Sequence, residues 1–497
     1  MNKDILSIVK SSINLSFISG IGVILGLFKQ ILIAKYFGTS YQYDCFLIAF
    51  AIPSIFMGIA VTLFSSSLIP VLIPVKNEKE EYQEAINTII LLASIVILGL
   101  SIFGSLVSKY YLIYYTSFDK YKLDLTINLA IYAWIITGFE LLNYLLTSLF
   151  HIEKKFVFPA FIRLLVPIGI IVCIYFFGEK LGIEAIPTGW LLANITSFLL
   201  LSPILKKNNL SFKRINIYNK YVKEFILVCV LTIIGTLPFT ILPSIDGFWT
   251  ARLPEGSMSY IAYCTQITIA IDTFVKNGVY LVLLPYLSEN FATGEENIFW
   301  YRIRITLKYL YALLIPIVIY FSYFSQEIIS FVYERGSFSN LSTQAISKLL
   351  PFYLTGGLLA MVPVTILNRA YYAQKKYASF AIISVALIFL YFILSGILSY
   401  LWQTRGIGIA YNIYWFLFLY ICIKFLQRTI FDKEMVLFSI KLLAAALLSL
   451  KIPHTVLKVV NPFLKGIVSI MLLLFFTYLF KIPMYLEVKR YLKHIYD

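Results

Sequence analysis

Charge is scarce in this chain. Only 13% of its 497 residues are charged and 60% are hydrophobic, whereas a soluble domain is about one quarter charged and about half apolar. A water-soluble globule is excluded. Histidine occurs three times and cysteine five times. Cys45, Cys173, Cys229, Cys264 and Cys422 lie in or beside apolar runs without paired or CxxC spacing, so the sequence encodes neither a disulfide framework nor a zinc site. GxSxG, HExxH, a phosphate-cradling glycine loop and a carboxylate cluster are all missing, which leaves no groups for hydrolysis or metal-dependent sugar transfer within a membrane. The chain does not read as an enzyme, and no cofactor is expected. The first apolar run is long and glycine-rich, with no small-residue cleavage site behind a short core, so it is expected to stay as the first span.

What is abundant is long apolar sequence. Runs able to cross a hydrocarbon core of about 30 Å as helices lie near 12–36, 45–71, 86–107, 125–150, 157–177, 183–204, 224–248, 257–286, 304–332, 342–371, 378–401, 406–426, 434–451 and 463–480. The expected fold is an all-α polytopic membrane protein of about fourteen transmembrane helices. With the N-terminus inside, the inside loops collect about twice as many Lys and Arg residues as the outside loops, which matches the positive-inside pattern. Both termini are then cytoplasmic. The most basic loop, 206–223, carries Lys206, Lys207, Lys213, Arg214, Lys220 and Lys223. Orientation and anionic lipid headgroups account for it, and for the net charge of +16, without nucleic acid.

The chain repeats itself. LLTSLFHIEKKFVFPAFI at 145–162 aligns without a gap on ILNRAYYAQKKYASFAII at 366–383, pairing Lys154 with Lys375 and Lys155 with Lys376. DCFLIAF…SSSLIP at 44–70 matches SYIAYCT…LVLLP at 259–285, and LGIEAI at 181–186 matches RGIGIA at 405–410. The matches share order and similar offsets. They predict two parallel six-helix repeats forming two lobes, 1–205 and 224–427, joined by a basic linker at 206–223 and followed by two extra helices and a basic tail at 428–497. Such a duplication points to a transporter that rocks two bundles around a central site.

Charges inside spans cost at least about 2.5 kcal/mol each unless paired, snorkelled or wetted. Arg163 lies near a span end and can snorkel. Glu140 and Asn143, one turn apart, read as a polar contact between helices. Asp44 precedes a helix, where it either caps free backbone N–H groups or contacts substrate. Asp272 and Lys276 are four residues apart on one helical face, too deep to reach water, with Gln266 two turns earlier. They form either a structural ion pair or a polar cavity wall in which Lys276 meets an anionic substrate. Lys29, beside Gly20, Gly22 and Gly26, offers a second cation from the other half.

LGLFKQILIAKYFGTSYQYDCFLIAFAIPSIF, GSMSYIAYCTQI…LLPYLS, FVYERGSFS and LNRAYYAQKK resemble, in order and spacing, signature regions of the MurJ/MviN family of lipid II flippases in the MOP exporter superfamily. The resemblance covers about 1–430, and the last two helices fit the family's extra pair. It implies two six-helix lobes around a cationic cavity for the pyrophosphate-sugar head of an undecaprenyl-linked precursor. Alternating access in the cell inner membrane would be driven by membrane potential or a monovalent cation. The family's positions fall on Lys29, Asp44 and Arg369, and its cation-binding carboxylate falls on Asp246. Gln266 and Val23 stand where the family has Arg. A flippase for another lipid-linked oligosaccharide, such as an O-antigen, capsule or exopolysaccharide unit, is therefore the alternative. A MATE-like multidrug or cation antiporter is a further one, although its cavity calls for acidic groups and the ligands here are largely Lys and Arg. A monomer is expected, working near cell-wall or polysaccharide synthesis enzymes.

Overall fold

The apolar runs fold as helices, and no strand occurs among the described residues. The computed structural model describes residues 3–208, 215–273, 296–374, 376–426 and 433–456, with short pieces at 468–469, 471–473 and 475–477. Nine helices among the described residues are long and apolar enough to cross a membrane. Two of them hold a pair of expected spans each, so the nine do not by themselves give the number of crossings.

The first compact unit comprises Met1–Ala262 and Tyr333–Ser342. Its elements are α1 (Lys3–Phe37), α2 (Tyr41–Ala51), α3 (Pro53–Leu72), α4 (Lys79–Tyr115), α5 (Lys120–Ile152), α6 (Val157–Ile162), α7 (Leu165–Leu181), α8 (Ala185–Leu201), α9 (Pro203–Lys207), α10 (Lys220–Thr240), α11 (Leu242–Thr250) and the start of α12 (257–273). Proline sets several boundaries: Pro53, Pro203 and Pro243 stand in the first turns of α3, α9 and α11, where the missing N–H costs nothing. The expected span 224–248 is broken at Ile241, while Pro238 stays inside α10. α10 and α11 pack with the first six spans, although the repeat pattern groups them with the second half.

The later turns of α4 are apolar outside and largely small or polar within. On α4, Ile95, Val96, Leu98, Ile102, Phe103 and Leu106 are exposed, whereas Ser101, Gly104 and Ser108 are buried. Ser101 Oγ donates to the Trp134 carbonyl at 2.9 Å. A Cβ on Gly104 would stand 2.2 Å from the Trp134 ring. Lipid solvates the outward face, so helices associate through close approach and internal hydrogen bonds rather than through the hydrophobic effect. The core of this unit runs through Phe64, Leu68, Ile86, Ile89, Leu145 and Leu149, and Val222 and Phe225 of α10 join it.

Two ends can be distinguished. At the proximal end Lys76 Nζ donates to the Ile152 carbonyl, Lys207 pairs with Glu153, and Lys155 stands 3.5 Å from the same carboxylate. Here the basic linker is pinned: Glu84 Oε1 accepts from Asn216 Nδ2 at 2.7 Å and Asn219 Nδ2 at 3.1 Å, and Thr88 Oγ1 accepts from the Asn216 N–H. The distal end gathers 38–44, 115–122, 250–259 and 333–342.

The second unit comprises Tyr263–Val332 and Thr343–Asp497. It contains the rest of α12, α13 (Glu296–Tyr323), most of α14 (Ser325–Tyr333) and α15 (Asn340–Leu354), a π-helical stretch (Thr355–Met361), α16 (Val362–Ala373), α17 (Tyr377–Leu426) and α18 (Lys433–Val456). α17 reverses at Trp402 and Gln403, where the backbone leaves helical angles and Gln403 has φ +52°. The two expected spans, 378–401 and 406–426, are the arms of this hairpin, with the Tyr391 and Tyr414 rings 5.2 Å apart across it. A Cβ at Gly406 would lie 1.8 Å from the Leu398 carbonyl oxygen, so only glycine fits.

The duplication is written in backbone hydrogen bonds. The Glu153 and Lys155 N–H groups donate to Leu149 and Phe150 at 3.3 and 2.9 Å, and those of Gln374 and Lys376 donate to Ala370 and Tyr371 at 3.0 and 2.8 Å. The gapless alignment pairs these residues one for one.

Candidate functional site

The predicted site residues fall in both units. Lys29, Asp44 and Asp246 belong to the first, Gln266 and Asp272 to the second. Lys276 lies outside the described residues, as does the side chain of Arg369, whose backbone is in α16.

Lys29 sits half-buried on α1, next to Gln30, which is buried and donates from Nε2 to the Tyr43 hydroxyl at 3.0 Å. Asp246 on α11 is buried, with 3% of its surface exposed. Gln266 is on the exposed face of α12, whereas Asp272, six residues on, is buried.

Asp44 is the best-defined of these groups. The N-cap of its own helix is filled by Ser40, whose hydroxyl accepts from the Tyr43 N–H, so Asp44 is released from capping α2. It caps another helix instead. Oδ2 accepts from the Gly256 N–H at 2.6 Å, and Oδ1 accepts from the Ser259 N–H at 2.8 Å and the Ser259 hydroxyl at 2.6 Å. These are free donors at the start of α12, and a carboxylate there also meets the positive end of the helix dipole. Asp44 and Ser259 are repeat equivalents in the match of 44–70 with 259–285. The duplication therefore brings two corresponding positions into direct contact.

Around this bond the distal end is locked by backbone fit. Gly256 has φ +87°, and Gly38 and Gly336 have φ +53° and +61°. The Ser337 N–H donates to the Lys35 carbonyl at 2.8 Å, and a Cβ on Gly38 or Gly336 would strike the Ser337 or Lys35 carbonyl oxygen at 2.3 Å. This explains why FVYERGSFS forms a motif: its glycine and serine clasp the end of α1. In the sequence the motif is visible, but no role for Gly336, Ser337, Gly256 or Ser259 is. Their partners lie more than 200 residues away in the chain, so no local spacing reveals them.

A cavity of about 320 Å³ opens beside Asp44, lined also by Tyr41, Asp119, Lys122, Arg252 and Glu255. Its charges are largely satisfied. Lys122 is 3.6 Å from Glu255, and Arg252 lies 3.8 Å over the Phe248 ring and donates to the Tyr114 and Tyr115 carbonyls. In the second unit a different cavity, about 330 Å³ and almost wholly apolar, lies among Leu313, Pro316, Ile317, Phe321, Leu450 and Leu473. No group of His, Cys, Asp and Glu side chains suited to a metal occurs among the described residues.

Comparison with known proteins gives a consistent answer. The model of the family described as "Lipid II flippase MurJ" matches residues 33–477. A "Probable lipid II flippase MurJ" of Buchnera aphidicola subsp. Schizaphis graminum is 26% identical over 460 residues, covering 89% of this chain and 88% of that one. The "Lipid II flippase MurJ" of Burkholderia cenocepacia is 22% identical, covering 70% of each. Among solved structures, a lipid II flippase MurJ in an inward closed conformation superposes with a TM-score of 0.79 at 22% identity, covering 94% of this chain and 98% of that one. An inward-facing MATE-family multidrug transporter of the MOP superfamily superposes at 0.64 with 11% identity, covering 84% and 99%.

Proposed function

Because this chain belongs to the MurJ family of lipid II flippases, we propose that it moves a lipid II-type precursor, an undecaprenyl-pyrophosphate-linked saccharide, across the cytoplasmic membrane by alternating access. The family match over 33–477 carries this reading. Lys29, Lys276 and Arg369 are the cations for the pyrophosphate, with Gln266 and Asp272 as polar contacts. Guanidinium and ammonium groups both meet phosphate, although only Arg does so as a planar fork. The apolar cavity between α13 and α18 suits a lipid chain. The Asp44 bond to α12 supports a second role, a latch at the distal end that must open once per cycle.

Membrane potential or a monovalent cation drives the cycle, with Asp246 as a cation ligand. Both termini are cytoplasmic, the proximal end faces the cytoplasm and anionic headgroups, and the protein acts as a monomer beside cell-wall synthesis enzymes. Complementation tests the substrate. The gene should restore growth to cells depleted of their peptidoglycan flippase. Rescue confined to cells lacking an O-antigen or capsule flippase would reassign the saccharide, and Gln266 in place of Arg would then be the first residue to examine.

A further inference from the structure

Lys29 has a partner inside the first unit. α1 meets α7 at two points: a Cβ on Gly22 would stand 3.4 Å from the Leu164 side chain, at the start of α7, and one on Gly178 would stand 3.4 Å from the Tyr36 ring. Lys29 lies midway between Gly22 and Tyr36, two helical turns from each, so it shares the face of α1 that meets α7. Helical side chains point back toward the N-terminus, which carries the Lys29 ammonium toward the level of Leu164 and Arg163.

Beside Arg163 stands Glu140 of α5. Both line a cavity of about 40 Å³, together with Asn143, Tyr144 and Asn194. The Arg163 guanidinium lies 4.8 Å over the ring of Tyr144, one turn from Glu140. Lys29 and Arg163 are the cations that act on the Glu140 carboxylate, whose buried Oε2 accepts no hydrogen bond among the described residues. One carboxylate therefore serves two cations. Its backbone is fixed, because Asn143 Nδ2, one turn along α5, donates to the carbonyl and the Oδ1 of Asn194 on α8 at 3.0 Å each. α1 is freer, with open space beside Gly20 and Gly26.

From this arrangement we propose that Glu140 is a positioning residue for the substrate: its carboxylate holds Lys29 while the protein is empty, yields it to the pyrophosphate, and takes it back on release. The pyrophosphate displaces the carboxylate because it carries more negative charge. Arg163 makes the exchange possible, since it keeps Glu140 paired while Lys29 is engaged elsewhere. An unpaired charge at that depth would be costly. Competition from Glu140 in turn keeps the headgroup from binding too tightly to leave. The assignment rests on the reading of Lys29 as a phosphate-binding group.

The test is binding of undecaprenyl pyrophosphate to the full-length protein in detergent, with flipping by the same variants in proteoliposomes. Glu140→Gln removes the competitor and should tighten binding by about tenfold while slowing flipping, a split that a merely structural residue does not give. Glu140→Asp, which keeps the charge but draws it back by one CH₂, should fall between, and it decides the matter if Glu140→Gln does not fold. Lys29→Gln should weaken binding, and adding Glu140→Gln to it should change binding no further, because Glu140 acts through Lys29. Unchanged or weaker binding in the Glu140 variants, or equal tightening with and without Lys29, overturns the assignment while leaving the Lys29 reading in place. Undiminished binding by Lys29→Gln alone would overturn the Lys29 reading, and the assignment with it.

Discussion

The Asp44 carboxylate accepts three hydrogen bonds with 7% of its residue surface exposed. Hydrogen bonds to a buried charge are each worth about 1.5–3 kcal/mol, and losing an acceptor leaves its donors unpaired. In Asp44→Asn the amide nitrogen must face an N–H, either that of Gly256 or that of Ser259, so the cap is broken whichever way the amide turns. The substitution should lower stability by about 2 kcal/mol, and Ser259→Ala, which removes one bond of three, by about 1 kcal/mol. Denaturant melts of the two variants check this. If Asp44→Asn proves no weaker than Ser259→Ala, the carboxylate is not the latch.

At the scale of the element, the proximal end shows charge being used on a helix terminus. Glu153 follows α5 and holds Lys207 of α9, with Lys155 beside it. Burial alone would push this carboxyl up, but the hydrogen bond and charge of Lys207, aided by Lys155, hold it below the usual glutamate value. A depressed value means the ionised form favours the folded state. That contribution is whole above the ordinary value of about 4.3 and is lost as pH falls through the depressed one. Melting curves should therefore drop more steeply below about pH 4.5 for the native protein than for Glu153→Gln. Identical acid profiles would show that the pair holds nothing. The gain is modest in any case, because Lys207 is half exposed.

For the whole molecule, the alternation of proximal and distal loops ties topology to function. Residues 73–78, 153–157 and 203–208 share one end of the first unit, and 38–41, 116–119 and 251–256 share the other. If the proximal end is cytoplasmic, cysteines at Ser117 and Leu253 should react with an impermeant reagent in intact cells. Cysteines at Asn77 and Lys155 should react only after lysis. The reverse pattern would invert the protein and move the Asp44 latch to the cytoplasmic side.

Fold class was legible in the sequence because the membrane imposes it: an apolar run of about 20 residues must satisfy its backbone internally, and the helix does this alone. The duplication was legible too, since the paired Lys-Lys turns repeat both as letters and as backbone hydrogen bonds. Single residues were legible only as alternatives. Asp44 read equally as a cap of its own helix or a substrate contact, and it is the cap of α12, whose start is 212 residues further along the chain. Glu140 and Asn143 read as one interhelical contact, and Asn143 makes its part through Asn194 of α8. The reason is range. Helix formation depends on groups within one or two turns, which the sequence displays side by side, whereas hydrogen-bond partners and leftover acceptors depend on which helices meet, and that is settled only when the chain is packed.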